Sequence, residues 1–104
     1  MSKRVKTVHI GKKDIYEWTM GEGKDIIFPL LFEASEKIIL ENKEKLKVLR
    51  VEAEIRGNQQ AFDFWVNFSE IEDTLQKILD WALEIENYEM CQKLKELQNK
   101  LETF

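Results

Sequence analysis

Two stretches of strict alternation constrain this chain more than any other feature. Leu49, Val51, Ala53 and Ile55 alternate with Arg50, Glu52, Glu54 and Arg56, and Phe62, Phe64, Val66 and Phe68 alternate with Ala61, Asp63, Trp65 and Asn67. Successive side chains of a strand point to opposite faces, so a period of two gives one buried and one wet face. Residues 47–68 therefore read as a β-hairpin that has to lay its apolar face on another element. The loop length sets the register. A two-residue Gly57-Asn58 turn pairs Ala53 with Phe62, Val51 with Phe64 and Leu49 with Val66. An odd loop would set Glu54 opposite Phe62 and mix the faces, so the loop is expected to be even. The cost of this register is Glu52 opposite Asp63, a like-charge pair.

Helical spacing surrounds the hairpin. Ser69-Glu70-Ile71-Glu72 has the form of a capping box, and Ile71, Leu75, Ile78, Ala82 and Ile85 follow at steps of four and three. Met90, Leu94, Leu97, Leu101 and Phe104 form a second set, out of phase with the first. Asn87 sits in the break and tolerates the left-handed conformation that ends many helices. The expectation is an antiparallel helical hairpin over 70–103, with helices at 70–86 and 88–103; one bent helix through Leu83, Asn87 and Met90 is the alternative. Upstream, residues 4–10 and 14–20 are rich in β-formers around Gly11-Lys12-Lys13 and read as a hairpin over 4–20. Residues 27–45 read as a helix, with Asp25 as its N-cap and Pro29 tolerable in its first turn. The expected fold is a single α+β domain over 1–104 in the order ββαββαα. Two antiparallel β-hairpins pack on a helix and a C-terminal helical hairpin. The expected core is Val51, Phe62, Phe64, Val66, Ile71, Leu75, Ile78, Leu94 and Leu97.

The 104 residues suit one domain, and 43% hydrophobic with 11% aromatic content marks a folded chain. No apolar run approaches the ~18 residues of a membrane span, and MSKRVKTVHI lacks the apolar stretch of a secretory signal. Cys91 is the only cysteine, which excludes an intramolecular disulfide and fits a cytoplasmic location. The net charge of −4 is unevenly spread. Lys3, Arg4, Lys6, Lys12, Lys13 and Lys24 outnumber the acids of residues 1–24. Glu70, Glu72, Asp73, Asp80, Glu84, Glu86 and Glu89 are opposed by Lys77 alone over residues 70–89. A basic front and an acidic back suit opposite partners or head-to-tail copies, and equally suit solvated faces.

Residues able to do chemistry are few. His9 is the only histidine and has no second soft ligand near it in sequence, so neither a metal nor another cofactor is expected. A Cys–His nucleophile needs Cys91 to meet His9, whereas a cysteine beside Met90 on a helix reads as a small hydrophobe. Gly21-Glu22-Gly23-Lys24-Asp25 lacks the spacing of a phosphate-binding loop and carries an acid where the phosphate would sit. No catalytic residue is assigned. Partner binding has better candidates. Trp65 points away from Phe62, Phe64 and Val66, and lies outside the core unless the N-terminal hairpin covers it. Trp81 and Tyr88 flank the helical seam beside Asp80 and Glu84. Aromatic residues at the edge of a charged surface are common anchors for partners.

Residues 82–101, ALEIENYEMCQKLKELQNKL, resemble the UVR motif, a helical hairpin of excision-repair and protease-adaptor proteins. The likeness rests on Ala82, Glu86, Tyr88-Glu89, Lys93, Leu94 and Lys95; Cys91-Gln92 stands where the motif has small residues and Gln98 where it has an aliphatic. The resemblance implies a helical hairpin used for protein contacts. The expected function is a non-enzymatic protein-interaction module, a small regulator or inhibitor that binds another protein or a second copy of itself as a homodimer. The alternative is a small nucleic-acid-binding protein that uses the basic N-terminal hairpin beside Tyr16 and Trp18. Against it stand a pI near 5.1 and the lack of a recognised motif.

Overall fold

The computed structural model describes residues 5–103 and is an α+β domain. Strand β1 (Lys6–Gly11) leads into helices α1 (Ile15–Met20) and α2 (Lys24–Glu41). Strands β2 (Lys45–Ile55) and β3 (Asn58–Asn67) follow, then a 3-10 turn at Phe68–Glu70 and helices α3 (Ile71–Glu84) and α4 (Tyr88–Glu102). Lys3 and Arg4 of the basic cluster and Phe104 of the second seam lie outside the described residues.

The sheet has three strands in the order β1-β2-β3, with β1 parallel and β3 antiparallel to β2. This corrects the expected N-terminal hairpin, because residues 15–20 are helical. Asp14 takes extended dihedrals and accepts from the N–H groups of Tyr16 and Glu17 at 2.9 and 3.1 Å, which satisfies two donors of the first turn. The helix then buries Trp18 while Tyr16 stays exposed. Gly23 lies against the Trp18 ring, where any Cβ would come within 2.7 Å of ring carbons. That close approach needs glycine.

Helix α2 begins earlier than its spacing suggests, with Gly23 and not Asp25 at the cap. Pro29 is its sixth residue, past the first turn, and withholds an N–H from the Asp25 carbonyl. Asn42, left-handed at φ 54°, closes the helix.

The hairpin is present, but in another register. The turn is Arg56-Gly57, with φ 52° and 79°, and both residues occupy the positive region that a two-residue type I′ hairpin requires. Val51 therefore pairs with Phe62, Leu49 with Phe64 and Arg50 with Asp63, so the like-charge pair expected of Glu52 does not form. A bulge at Lys47–Leu49 adds a residue to β2 and buries both Val48 and Leu49.

The helices lie on one face of the sheet. Leu49, Val51, Ala53 and Val66 are at most 1% exposed, packed with Ile38, Leu75, Ile78 and Leu94. Phe62 and Phe64 are only half-buried, because β3 is an edge strand that the helices cover less than β2. Phe68 turns out of the strand and is 40% exposed.

Two C-terminal helices are present, and the break between them is well defined. Glu86 adopts φ 58°, Asn87 N–H donates to the Ala82 carbonyl at 2.8 Å, and Glu86 N–H donates to the Leu83 carbonyl at 3.1 Å. This is a Schellman ending with Glu86, not Asn87, in the left-handed position. The Asn87 side chain instead accepts from Met90 N–H and caps α4. Ser69 does not cap α3; the 3-10 turn takes that place, and Glu70 is the cap residue.

Candidate functional site

The side of the sheet away from the helices has no layer over it among the described residues. Its side chains come from the polar half of the alternation, with Trp65 the only large aromatic group there among the described residues. Trp65 is 46% exposed. It stands on β3 opposite Lys47 of β2, and the ammonium groups of Lys45 and Lys47 each lie 5.3 Å from the ring centroid. Cations at that range are drawn to the ring face and hold its orientation.

Next to the tryptophan, the Arg50 guanidinium grips Asp63 through Nε–Oδ1 at 2.8 Å and Nη2–Oδ2 at 3.3 Å, and Lys47 approaches the same carboxylate at 3.3 Å. The hydrogen bond from Arg50 holds the Asp63 carboxyl below its ordinary range, with Lys47 adding to the effect. The same bond raises the Arg50 guanidinium. Farther along the face, His9 Nδ1 lies 3.1 Å from Glu52 across the parallel pair. The face is thus graded, with Lys45, Lys47 and Arg50 around Trp65 and Glu52 and Glu54 at the far end.

A second feature opens where β1 and β2 both end. A groove of about 660 Å³ runs between α1, the Arg56-Gly57 turn and β3. Its apolar lining is Ile15, Ile55, Phe62 and Phe64, and Lys12 and Arg56 stand at its rim. Assigning 14–20 to a strand hid this groove from sequence reasoning, since α1 forms one wall.

The residues predicted for partner binding are not brought together. Trp65 is on the open face. Tyr88 is 66% exposed at the start of α4, and Asp80 and Glu84 are exposed on α3, with Asp80 accepting from Gln76 at 3.0 Å. Trp81 is buried, contrary to expectation, because its ring stacks on Phe28 of α2 at 5.2 Å. Lys45, Lys47 and Arg50, which surround Trp65, were missed as a group; the same alternation that singled out Trp65 puts Lys47 and Arg50 on its face once the bulge is known.

Cys91 is buried in the helical layer, whereas His9 is on the sheet's open face, so the two do not form a dyad. No group of three or more His, Cys, Asp or Glu side chains suited to a metal ion occurs among the described residues. No helix among them is long and apolar enough to cross a membrane. Comparison with protein-family models, curated proteins and solved structures finds no match.

Proposed function

We propose that this chain is a non-enzymatic protein-binding module, a cytoplasmic regulator or inhibitor, that docks through the open face of its sheet. One observation carries the reading: a half-exposed tryptophan has two lysine ammonium groups over its ring, on a face that no described element covers. Tryptophan and arginine are the residues most enriched where binding energy concentrates, and a prepositioned ring loses little entropy on docking. The partner is expected to offer an apolar pocket bordered by acidic groups that meet Lys45, Lys47 and Arg50. Asp80 and Glu84, exposed one helical turn apart on α3, offer a separate acidic surface suited to a secondary contact, and Tyr88 is exposed at the start of α4. The resemblance of residues 82–101 to a protein-binding helical hairpin agrees with that role.

For the nucleic-acid alternative, Lys6, Lys12 and Lys13 stand exposed on β1 and the loop before α1 with Tyr16 but without the buried Trp18, and Lys45, Lys47 and Arg50 beside Trp65 give it a second basic surface. A photo-crosslinking amino acid placed at Gln59 on the open face, and separately at Leu83 on α3, tests the reading in producing cells. The expected result is a discrete protein adduct from position 59 that Trp65→Ser abolishes. Adducts from position 83 alone would contradict it. Binding to single-stranded DNA or RNA that weakens steeply with salt would favour the alternative.

A further inference from the structure

The two edges of the sheet are built differently. Strand β1 is six residues long, carries Lys6 and His9, and its register with β2 shifts between His9 and Gly11. Shortness, charge and irregularity are the usual means of keeping an edge from pairing with another chain. Strand β3 is neither short nor irregular. It runs ten residues, Asn58–Asn67, with no proline, no lysine and no register shift of its own making. Its one charge, Asp63, is neutralised by Arg50 and Lys47. Phe62 and Phe64 flank it half-buried on one face and Trp65 half-exposed on the other.

The pairing within the hairpin fixes which backbone groups face the free edge. A two-residue turn makes Ile55 and Asn58 a hydrogen-bonded pair, and such pairs alternate along an antiparallel ladder. Gln60, Phe62 and Phe64 therefore direct N–H and C=O toward β2. Gln59, Ala61, Asp63 and Trp65 direct theirs outward, unpaired among the described elements.

We propose that β3 pairs antiparallel with β3 of a second copy about a two-fold axis at Phe64, forming a six-stranded sheet. The occupant follows from register. Centring on Phe64 sets Phe64 opposite Phe64, Phe62 opposite Val66 and Asp63 opposite Trp65, so like sides meet over residues 61–67. Centring on Asp63 would oppose two carboxylates. Centring on Phe62 would set Gln60 against Phe64, and centring on Trp65 shortens the paired span to 63–67. The inference stands apart from the proposed function, but it would join two open faces into one, with each Trp65 beside the other copy's Asp63.

Sedimentation of the wild-type chain, with amide exchange read at several concentrations, tests the proposal. The expected mass doubles with concentration, and the amides of Ala61, Asp63 and Trp65 slow at least tenfold as it does. Ala61→Pro removes an outward N–H and leaves the β2–β3 ladder intact, so it should fold and remain monomeric. Gln60→Pro, which removes an inward N–H, should destabilise the fold. In a Cys91→Ala background, Phe64→Cys should form a covalent dimer under mild oxidation and Gln59→Cys should not. A wild type that stays monomeric at millimolar concentration, or an Ala61→Pro chain that still dimerises, would overturn the proposal.

Discussion

Arg50 and Asp63 face each other across β2 and β3, joined by two hydrogen bonds, and their pairing marks the true register of the hairpin. In the register anticipated from sequence, Asp63 would have met Glu52. A shift of two residues keeps every apolar side chain on its face and exchanges a repulsion for an ion pair. Because Asp63 titrates below its ordinary range, its contribution to stability is present above the unfolded-state value and is lost as pH falls through the folded-state value. Asp63→Asn should therefore flatten the acid side of the stability curve below pH about 4. Urea midpoints measured for both chains across that range check this, and parallel curves would count against it.

Burial separates residues that the alternation treated alike. Leu75 is fully buried, whereas Phe64 is half-buried on an edge strand. Leu75→Ala should cost about 2–5 kcal/mol. Phe64→Ala should cost less, although phenylalanine is the larger side chain. Thermal melts of dilute samples give the order, and a larger loss at Phe64 would mean that its exposed side is covered.

The end of α3 yields a test by sign. Glu86 occupies a left-handed position, where glycine escapes the penalty of a Cβ. Glu86→Gly should stabilise the chain by about 0.5–1 kcal/mol, whereas in one bent helix the same change would destabilise it by a similar amount. Asn87→Ala removes the cap of α4 and should cost about 1 kcal/mol. Chemical denaturation of the two variants distinguishes the alternatives.

Ser35 lies wholly buried on α2, and its hydroxyl has no hydrogen-bond partner among the described residues. A buried unsatisfied polar group costs about 1–3 kcal/mol. Ser35→Ala should raise the urea midpoint, and a lower midpoint would show that the hydroxyl is satisfied in solution.

The second hairpin, the two C-terminal helices and seven of the nine residues expected in the core were legible because their periodicity agrees with their burial. Ile15–Met20 was not, because Ile, Tyr, Trp and Thr favour strands while Asp14, a polar residue that reads as part of a turn, is the cap that starts a helix. That one segment concealed the parallel strand, the crossover and the groove. The alternation put Trp65 on the face away from the core but left open whether the N-terminal segment covers it; with residues 15–20 helical, Trp65 is exposed. The burial of Trp81 was not legible, since stacking on Phe28 depends on how α2 lies over α3, which the helical spacing of neither segment encodes. The bulge at Val48, which keeps both Val48 and Leu49 inside, was also hidden, because an inserted residue leaves no mark on alternation that begins after it.

Trp65 stands on the face of the sheet that no described element covers. The three tryptophans make this directly measurable, because Trp18 and Trp81 are 5% and 7% exposed against 46% for Trp65. Acrylamide quenching of tryptophan emission in dilute solution, for the wild type and Trp65→Phe, reads the difference. The wild type should show one readily quenched component that vanishes in Trp65→Phe, leaving emission that resists quenching. Wild-type emission that resists quenching throughout, or quenching unchanged by the substitution, would show that Trp65 is covered and contradict the open face.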